Sequence, residues 1–305
     1  MSQSATSLVR ISGHAGSVPG AGLNRAFEVC KLVDVTTCIG CKACEAACLE
    51  WNGYQFSRTT FNNSYQTIPE TAWNYWNLIK FNEHERADGS PMLLMRKDQC
   101  MHCTDPGCLV ACPADGAIVQ YSNGIVDFQQ ANCIGCGYCI TGCPFNIPRF
   151  SPDARKVFKC TLCNDRVSRG LEPACIKACP TGCLHFGDKS DMKHLAETRA
   201  AQLREHFDFP KAGVYDPSGV GSAHVIYVLH DAENPEAYGG LPKDPQVPIS
   251  VSLWKGPLKW IGNIGMIAGA LGVFIHYLRF GPKIVKDDPK DEMEVIDENI
   301  SGGNQ

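Results

Sequence analysis

The chain has 305 residues, 44% of them hydrophobic, and a formal charge of -4, enough apolar material for one or two domains with a sizeable core. That balance, with no basic stripe, excludes a general affinity for nucleic acid, because binding by counterion release needs a concentrated cationic face. Eighteen cysteines in a chain too long to depend on a disulfide scaffold point to metal instead.

The N-terminal stretch "MSQSATSLVRISGHAGSVPGAG" is small and polar, with no apolar run after a basic start. It reads as a flexible arm over residues 1–30 and not as a secretory signal. The first cysteine set follows: Cys38, Cys41, Cys44 and Cys48 in "CIGCKACEAACLE". "WNLIKF" then pairs with "PMLLMR" across "ERADGS" as a hairpin. The second set is Cys100, Cys103, Cys108 and Cys112 in "CMHCTDPGCLVACP". After it, "GAIVQYSNGIVDF" places two β-rich runs around Asn123 and Gly124, the strongest short hairpin signal.

The third set is Cys133, Cys136, Cys139 and Cys143 in "CIGCGYCITGCP", and another hairpin is expected where "IPRF" and "VFKC" flank "SPDARK". The fourth set is stretched: Cys160, Cys163, Cys175 and Cys179 in "CTLCNDRVSRGLEPACIKACP". "CLHFG" reads as a strand, "SDMKHLAETRAAQLREHF" as a helix capped by Ser190 or Asp191, and "AHVIYVLH" as a further strand. Short strands and helices around cysteine loops make an α+β pattern.

Proline recurs from residue 234 to 256, which reads as an extended linker. A transmembrane helix is expected over 257–280, because "WIGNIGMIAGALGVFIHYL", residues 260 to 278, carries no charge and at ~1.5 Å per residue spans roughly 28 Å of the ~30 Å hydrocarbon core. Gly262, Gly265, Gly269 and Gly272 form a smooth stripe that suits a helical membrane partner, and Trp254, Trp260 and Tyr277 suit the interfaces. His276, one residue from that belt, reads as a headgroup or backbone contact and not as a haem ligand. Lys243, Lys255 and Lys259 lie on one side; Arg279, Lys283, Lys286 and Lys290 lie on the other, leading into an acidic tail over 281–305. That small excess puts the tail in the cytoplasm and the cysteine-bearing domain on the opposite, periplasmic face.

A [4Fe-4S] cube needs one thiolate at each of four irons. The C-x2-C-x2-C spacing lets one tight turn supply three, and a later cysteine followed by proline serves the neighbouring cluster, as in two-cluster ferredoxins. Pro113, Pro144 and Pro180 follow the last cysteine of three sets, whereas Leu49 follows in the first. Zinc generally takes separated C-x2-C pairs and suits three consecutive spacings poorly. Four sets therefore imply four [4Fe-4S] clusters, provided that each set exchanges its last ligand with another.

From "LVDVTTCIGCKACEAACLEWN" through "RKDQCMHCTDPGCLVACPADGAIVQYSNGIVDFQQANCIGCGYCITGCPFNIPRF" and "KCTLCNDRVSRGLEPACIKACPTG" to "AGVYDPSGVGSAHVIYVLH" and "GLPKDP", the chain resembles the iron-sulfur (beta) subunit of membrane-bound respiratory formate dehydrogenases. The resemblance implies that the first set pairs with the fourth and the second with the third. Cluster A would then use Cys38, Cys41, Cys44 and Cys179, and cluster B Cys48, Cys160, Cys163 and Cys175. Cluster C would use Cys100, Cys103, Cys108 and Cys143, and cluster D Cys112, Cys133, Cys136 and Cys139.

It implies two pseudo-symmetric bacterial-type 2[4Fe-4S] ferredoxin-like subdomains, one over 31–99 and 160–233 and the other over 100–159. Related nitrate reductase subunits replace one cysteine of the third set by tryptophan and hold a three-iron cluster; this set is complete, so four cubanes are expected. The family's partners are a molybdopterin or tungstopterin catalytic alpha subunit and a membrane cytochrome b gamma subunit. Export would then depend on a partner carrying a twin-arginine leader.

The chain shows no nucleophile and base pair, Walker loop or dinucleotide fingerprint, so an electron relay without bond chemistry of its own is the expected function. Two rivals are the equivalent subunit of a hydrogenase or other molybdopterin oxidoreductase, and a membrane-anchored zinc-stabilised structural protein. Cys30 and Cys183 fall outside the sets and read as buried apolar side chains. Lys97, Arg149 and Lys159 lie near the cysteines in sequence and are candidates to raise cluster potentials by offsetting charge, or to be ordinary solvated or salt-bridged side chains.

Overall fold

The computed structural model describes residues 8–11, 17–19, 28–56, 59–86 and 88–281. It divides into a body ending at Lys255 and a second unit that begins at Gly256. Strands β1 (Leu8–Ile11), β2 (Ser17–Pro19) and β3 (Val29–Asp34) lead into helix α1 (Ala43–Trp51) and the hairpin of β4 (Leu78–Glu85) and β5 (Pro91–Asp98). Helix α2 (Gly107–Ala111), strands β6 (Ile118–Gln120) and β7 (Val126–Phe128) and helix α3 (Tyr138–Thr141) follow, then β8 (Arg149–Ser151) and β9 (Lys156–Phe158). Helices α4 (Asn164–Val167) and α5 (Ala174–Lys177), strand β10 (Leu184–Asp188), helix α6 (Lys189–His206), strands β11 (Gly213–Tyr215) and β12 (Val225–Leu229) and helix α7 (Ile249–Lys255) complete the body. The second unit is helix α8 (Pro257–Phe280). The architecture is α+β, as the short-element pattern predicts.

The main sheet runs β10-β3-β12-β11, with β3 antiparallel to β10 and parallel to β12. All six residues of β3 are buried, and the period of two sorts them onto two faces. Cys30 and Leu32 join Ile226 and Val228 against Ala196, Ala200 and Leu203 of α6, a stripe at helical spacing on an otherwise polar helix. Val29 and Val33 join Val225, Tyr227 and Leu229 on the opposite face, in the core that also contains Cys44, Cys103 and Cys175. One side of the sheet is thus closed by a helix and the other by cysteine loops. Cys30 belongs to the helix side, in keeping with its reading as a small buried apolar residue.

The three expected hairpins form: β4 with β5, β6 with β7, and β8 with β9. At the second, Gly124 has φ +88° and lies so close to His224 that a Cβ would come within 1.9 Å of its Nε2, so only glycine fits. The cysteine-bearing helices pack in pairs, α1 on α5 and α2 on α3. Glu45 anchors α1, accepting from the Ile79 amide at 2.5 Å and from the Tyr75 hydroxyl.

Three expectations need correction. The N-terminal arm contributes β1 and β2, with β1 pairing antiparallel to β6 through Arg10 and Ile11; an unpaired edge of β6 is what recruits it. Helix α6 starts at Lys189 with Asp188 at the cap position, making no side-chain cap bond, because strand β10 runs straight into it. The stretch read as an extended linker buries Tyr238 and Leu241 in the main core and ends in α7, which packs on α2.

Helix α8 matches the expected 257–280 span and lies in the one stretch among the described residues long and apolar enough to cross a membrane. Its 24 residues reach about 36 Å at ~1.5 Å each.

Candidate metal centres

Each cysteine set makes the same unusual turn. The residue before the second cysteine is left-handed in all four: Gly40 (φ +65°), His102 (φ +46°), Gly135 (φ +72°) and Leu162 (φ +53°). Non-glycine residues adopt this conformation at a cost of ~1–2 kcal/mol, so its presence at His102 and Leu162 shows that the loop geometry is imposed. The turn aims amides at sulfur: the His102 and Leu162 N–H groups each lie 3.4 Å from the Sγ of Cys100 and Cys160. Such amide-to-sulfur bonds stabilise a cluster's thiolates.

The thiols gather into four groups. Cys38, Cys41, Cys44 and Cys179 line one small cavity, together with Lys97 and Cys183. Burial, followed by Cys160, Cys175 and Cys163, pushes the Cys48 thiol up. Burial, then Cys100, Cys108 and Cys143, does the same to Cys103. Burial, then Cys112, Cys133 and Cys136, pushes Cys139 up to about 12. In each case the last cysteine of one set is a neighbour of three cysteines of another: Cys179 beside set 1, Cys48 beside set 4, Cys143 beside set 2 and Cys112 beside set 3. We label these groups A to D in that order.

The groups also adjoin one another in series. Cys44 of group A feels Cys175 of group B, Cys160 of B feels Cys100 of C, and Cys108 of C feels Cys139 of D. The ends of the series are accessible: Cys41 and Cys136 are exposed, and their neighbours Ile39 and Ile134 are 61% and 67% exposed. Between them, all four thiols of group B are buried, as are Cys103 and Cys108 of group C, with Cys100 and Cys143 half-buried.

Three lysines penetrate this interior. Lys31, on the cysteine face of β3, donates to Cys175 Sγ at 3.0 Å and to Gln99 Oε1 at 2.8 Å. Burial opposes the Cys175 thiolate, but Lys31 and Lys97 together hold that thiol below its ordinary range. Lys159 donates to the backbone carbonyls of Val126 and Cys160 and sits over the Phe128 ring. Arg149 instead clamps loops, donating to the Thr71 carbonyl, Asn146 and Glu70, so it is the salt-bridged member of the three candidates. Lys31 escaped the sequence reading, although a lysine amid the apolar run "VCKLVD" was the available signal. Cys183 is buried, as expected, and borders the cavity of group A beside Cys38, whose thiol it holds below its ordinary range.

Among the described residues no three thiol, imidazole or carboxylate groups converge as a single metal ion would require. Thiols grouped in fours, with amides aimed at sulfur and buried ammonium groups nearby, fit the corners of a [4Fe-4S] cube, each iron of which takes one thiolate.

Comparison with known proteins agrees. Residues 37–117 and 92–189 each match a family described as a 4Fe-4S dicluster domain, and residues 247–290 match "Formate dehydrogenase N, transmembrane". The chain is 55% identical over 268 residues to the iron-sulfur subunit of the nitrate-inducible formate dehydrogenase of Escherichia coli (strain K12), covering 88% of this chain and 90% of that one. The chain belongs to the formate dehydrogenase iron-sulfur subunits. It is 51% identical to the Haemophilus influenzae subunit over 297 residues (96% and 93% of the two chains), and 48% identical to the E. coli formate dehydrogenase-O subunit over 303 residues (98% and 99%).

As a formate dehydrogenase iron-sulfur subunit it carries four [4Fe-4S] clusters in two dicluster domains. It is an electron-transfer component of an oxidoreductase complex, anchored through a transmembrane segment. The zinc and hydrogenase alternatives fall away.

Proposed function

We propose that this subunit relays electrons from a formate-oxidising molybdenum or tungsten pterin subunit to a membrane cytochrome b subunit, with groups A to D as the cluster ligands. Cluster A is assigned Cys38, Cys41, Cys44 and Cys179; cluster B, Cys48, Cys160, Cys163 and Cys175. Cluster C is assigned Cys100, Cys103, Cys108 and Cys143; cluster D, Cys112, Cys133, Cys136 and Cys139. When bound, the clusters supply one-electron redox stations. The rest of the task falls to the chain. Its loops fix the spacing of the thiols, its apolar core excludes water from the two inner groups, and its lysines offset buried negative charge.

The observation that carries this reading is the series itself: four adjoining thiol groups, accessible at both ends and buried between. Its direction is supported at one end. The body closes at Lys255, whose ammonium donates to the carbonyl of Cys112 at 3.3 Å, so the chain departs for its membrane segment from beside group D. Group A would then face the catalytic subunit and group D the membrane partner. The subdomains would be 31–99 with 160–233, and 100–159, in line with the packing of α1 on α5 and α2 on α3. The basic residues after α8 favour a cytoplasmic tail and a periplasmic cluster domain.

The test is the anaerobically purified, detergent-solubilised complex. Formate should reduce all four clusters, and the companions should include a pterin-containing and a haem-containing subunit. Clusters that dithionite reduces and formate does not would overturn the assignment.

A further inference from the structure

Of the three buried lysines, Lys97 differs from the others in having no partner. It lies on β5 opposite Ile79 of β4, is 1% exposed, and its Nζ makes no hydrogen bond. Lys31 and Lys159, by contrast, are each tied down by two acceptors. The Lys97 side chain instead borders the cavity of group A, and its chief electrostatic neighbours are Cys44 of group A and Cys175, Cys48 and Cys160 of group B. A buried ammonium without carboxylate or hydrogen bond is strongly unfavourable unless anionic charge compensates it. The cavity that Lys97 borders is lined by cysteines and carries no acidic side chain, so thiolates of two adjoining groups supply the chief compensation.

We propose that Lys97 is a positioning residue shared by clusters A and B, whose fixed charge raises the reduction potentials of both and ligates neither. The inference rests on the cluster assignment above. Each reduction adds one negative charge to a cluster, so a buried positive charge beside it favours the reduced form, and one ammonium between two clusters acts on both. At the effective protein dielectric a unit charge several ångströms away is worth about a tenfold change in the equilibrium constant for reduction, or more. For a one-electron couple a tenfold change is about 59 mV.

The experiment compares wild type, Lys97→Met and Lys97→Arg in the intact purified complex, with iron and acid-labile sulfide analysis and redox titration followed by EPR. Lys97→Met should keep its iron while two of the four one-electron components become about tenfold harder to reduce and the other two hold. Lys97→Arg should stay close to wild type. Four unmoved components in iron-replete Lys97→Met, or four that shift equally, would overturn the proposal. Should Lys97→Met not assemble, the same titration on Lys97→Gln decides between the same outcomes. Wild-type material without cubane iron would overturn the cluster assignment itself, which separates the two failures.

Discussion

Gly107→Ala probes whether the pairing of cysteine helices holds the clusters. Gly107 opens α2, and a Cβ built there would lie 2.3 Å from the Gly142 carbonyl oxygen, just beyond α3, and 3.2 Å from both methyls of Val247. Gly142 is equally confined, its own Cβ position being 2.7 Å from the Gly107 carbonyl oxygen. Normal contact would require the helices to part by about an ångström, and the obstacle is backbone, which cannot rotate away. Alanine in a helix ordinarily gains ~0.5–1 kcal/mol over glycine, while overpacking costs ~1–3 kcal/mol, so the net loss should be about 1–2 kcal/mol. For a body of this size that lowers the melting temperature by ~2–8 °C.

The damage should also be local. Helix α2 carries Cys108 of group C and ends at Cys112 of group D, whereas Cys44 and Cys48 ride on α1 and Cys175 on α5. Gly107→Ala should therefore lose the EPR signals of clusters C and D before those of A and B, with iron content falling toward half. A variant with full iron and an unchanged or higher melting temperature would refute the helix-contact argument.

Gly124→Ala must place a Cβ almost on His224 at a left-handed φ, with an expected cost of ~2–5 kcal/mol; a wild-type denaturant midpoint would contradict it. Glu45→Ala removes the buried acceptor of the Ile79 amide and the Tyr75 hydroxyl, about 1–3 kcal/mol for each orphaned donor, and should speed amide exchange at Ile79; unchanged protection would mean that the carboxylate does not anchor α1. His230 is held down to about 4 chiefly by burial, and its Nδ1 has no partner. The unfolded chain takes up that proton near 6.5 and the folded one does not, so this contribution is full above pH 6.5 and is lost as pH falls toward 4, at no more than ~1.4 kcal/mol per unit. His230→Gln should flatten the difference between denaturation midpoints at pH 7 and pH 5, and an identical pH slope would exclude the histidine as its source.

The cysteine sets and hairpins were legible because their code is local. A turn that supplies three thiolates needs its spacing within a few residues, and Asn123 with Gly124 marks a hairpin wherever it occurs. The α6 cap, the α7 helix and the pairing of β1 with β6 depend on what packs alongside, and a single strand cannot announce its neighbours. Lys97 and Lys159 were visible only as sequence neighbours of cysteines. Arg149, visible in the same way, turned out to clamp Thr71, Asn146 and Glu70, since sequence distance does not say which way a side chain leaves its strand.

Strand β3 makes the same point at single-residue scale. Adjacent residues Cys30 and Lys31 are both fully buried, yet the pleat sends the thiol to α6 and the ammonium to Cys175. One residue of register slip would exchange them, burying an unpaired charge under a helix and removing it from group B. The buried lysines are placed by the same physical logic: Lys31, Lys97 and Lys159 bear on thiols of groups A, B and C, and every thiol of group B is buried. Charge added there is screened little by solvent, so the compensating cation has to be built into the chain.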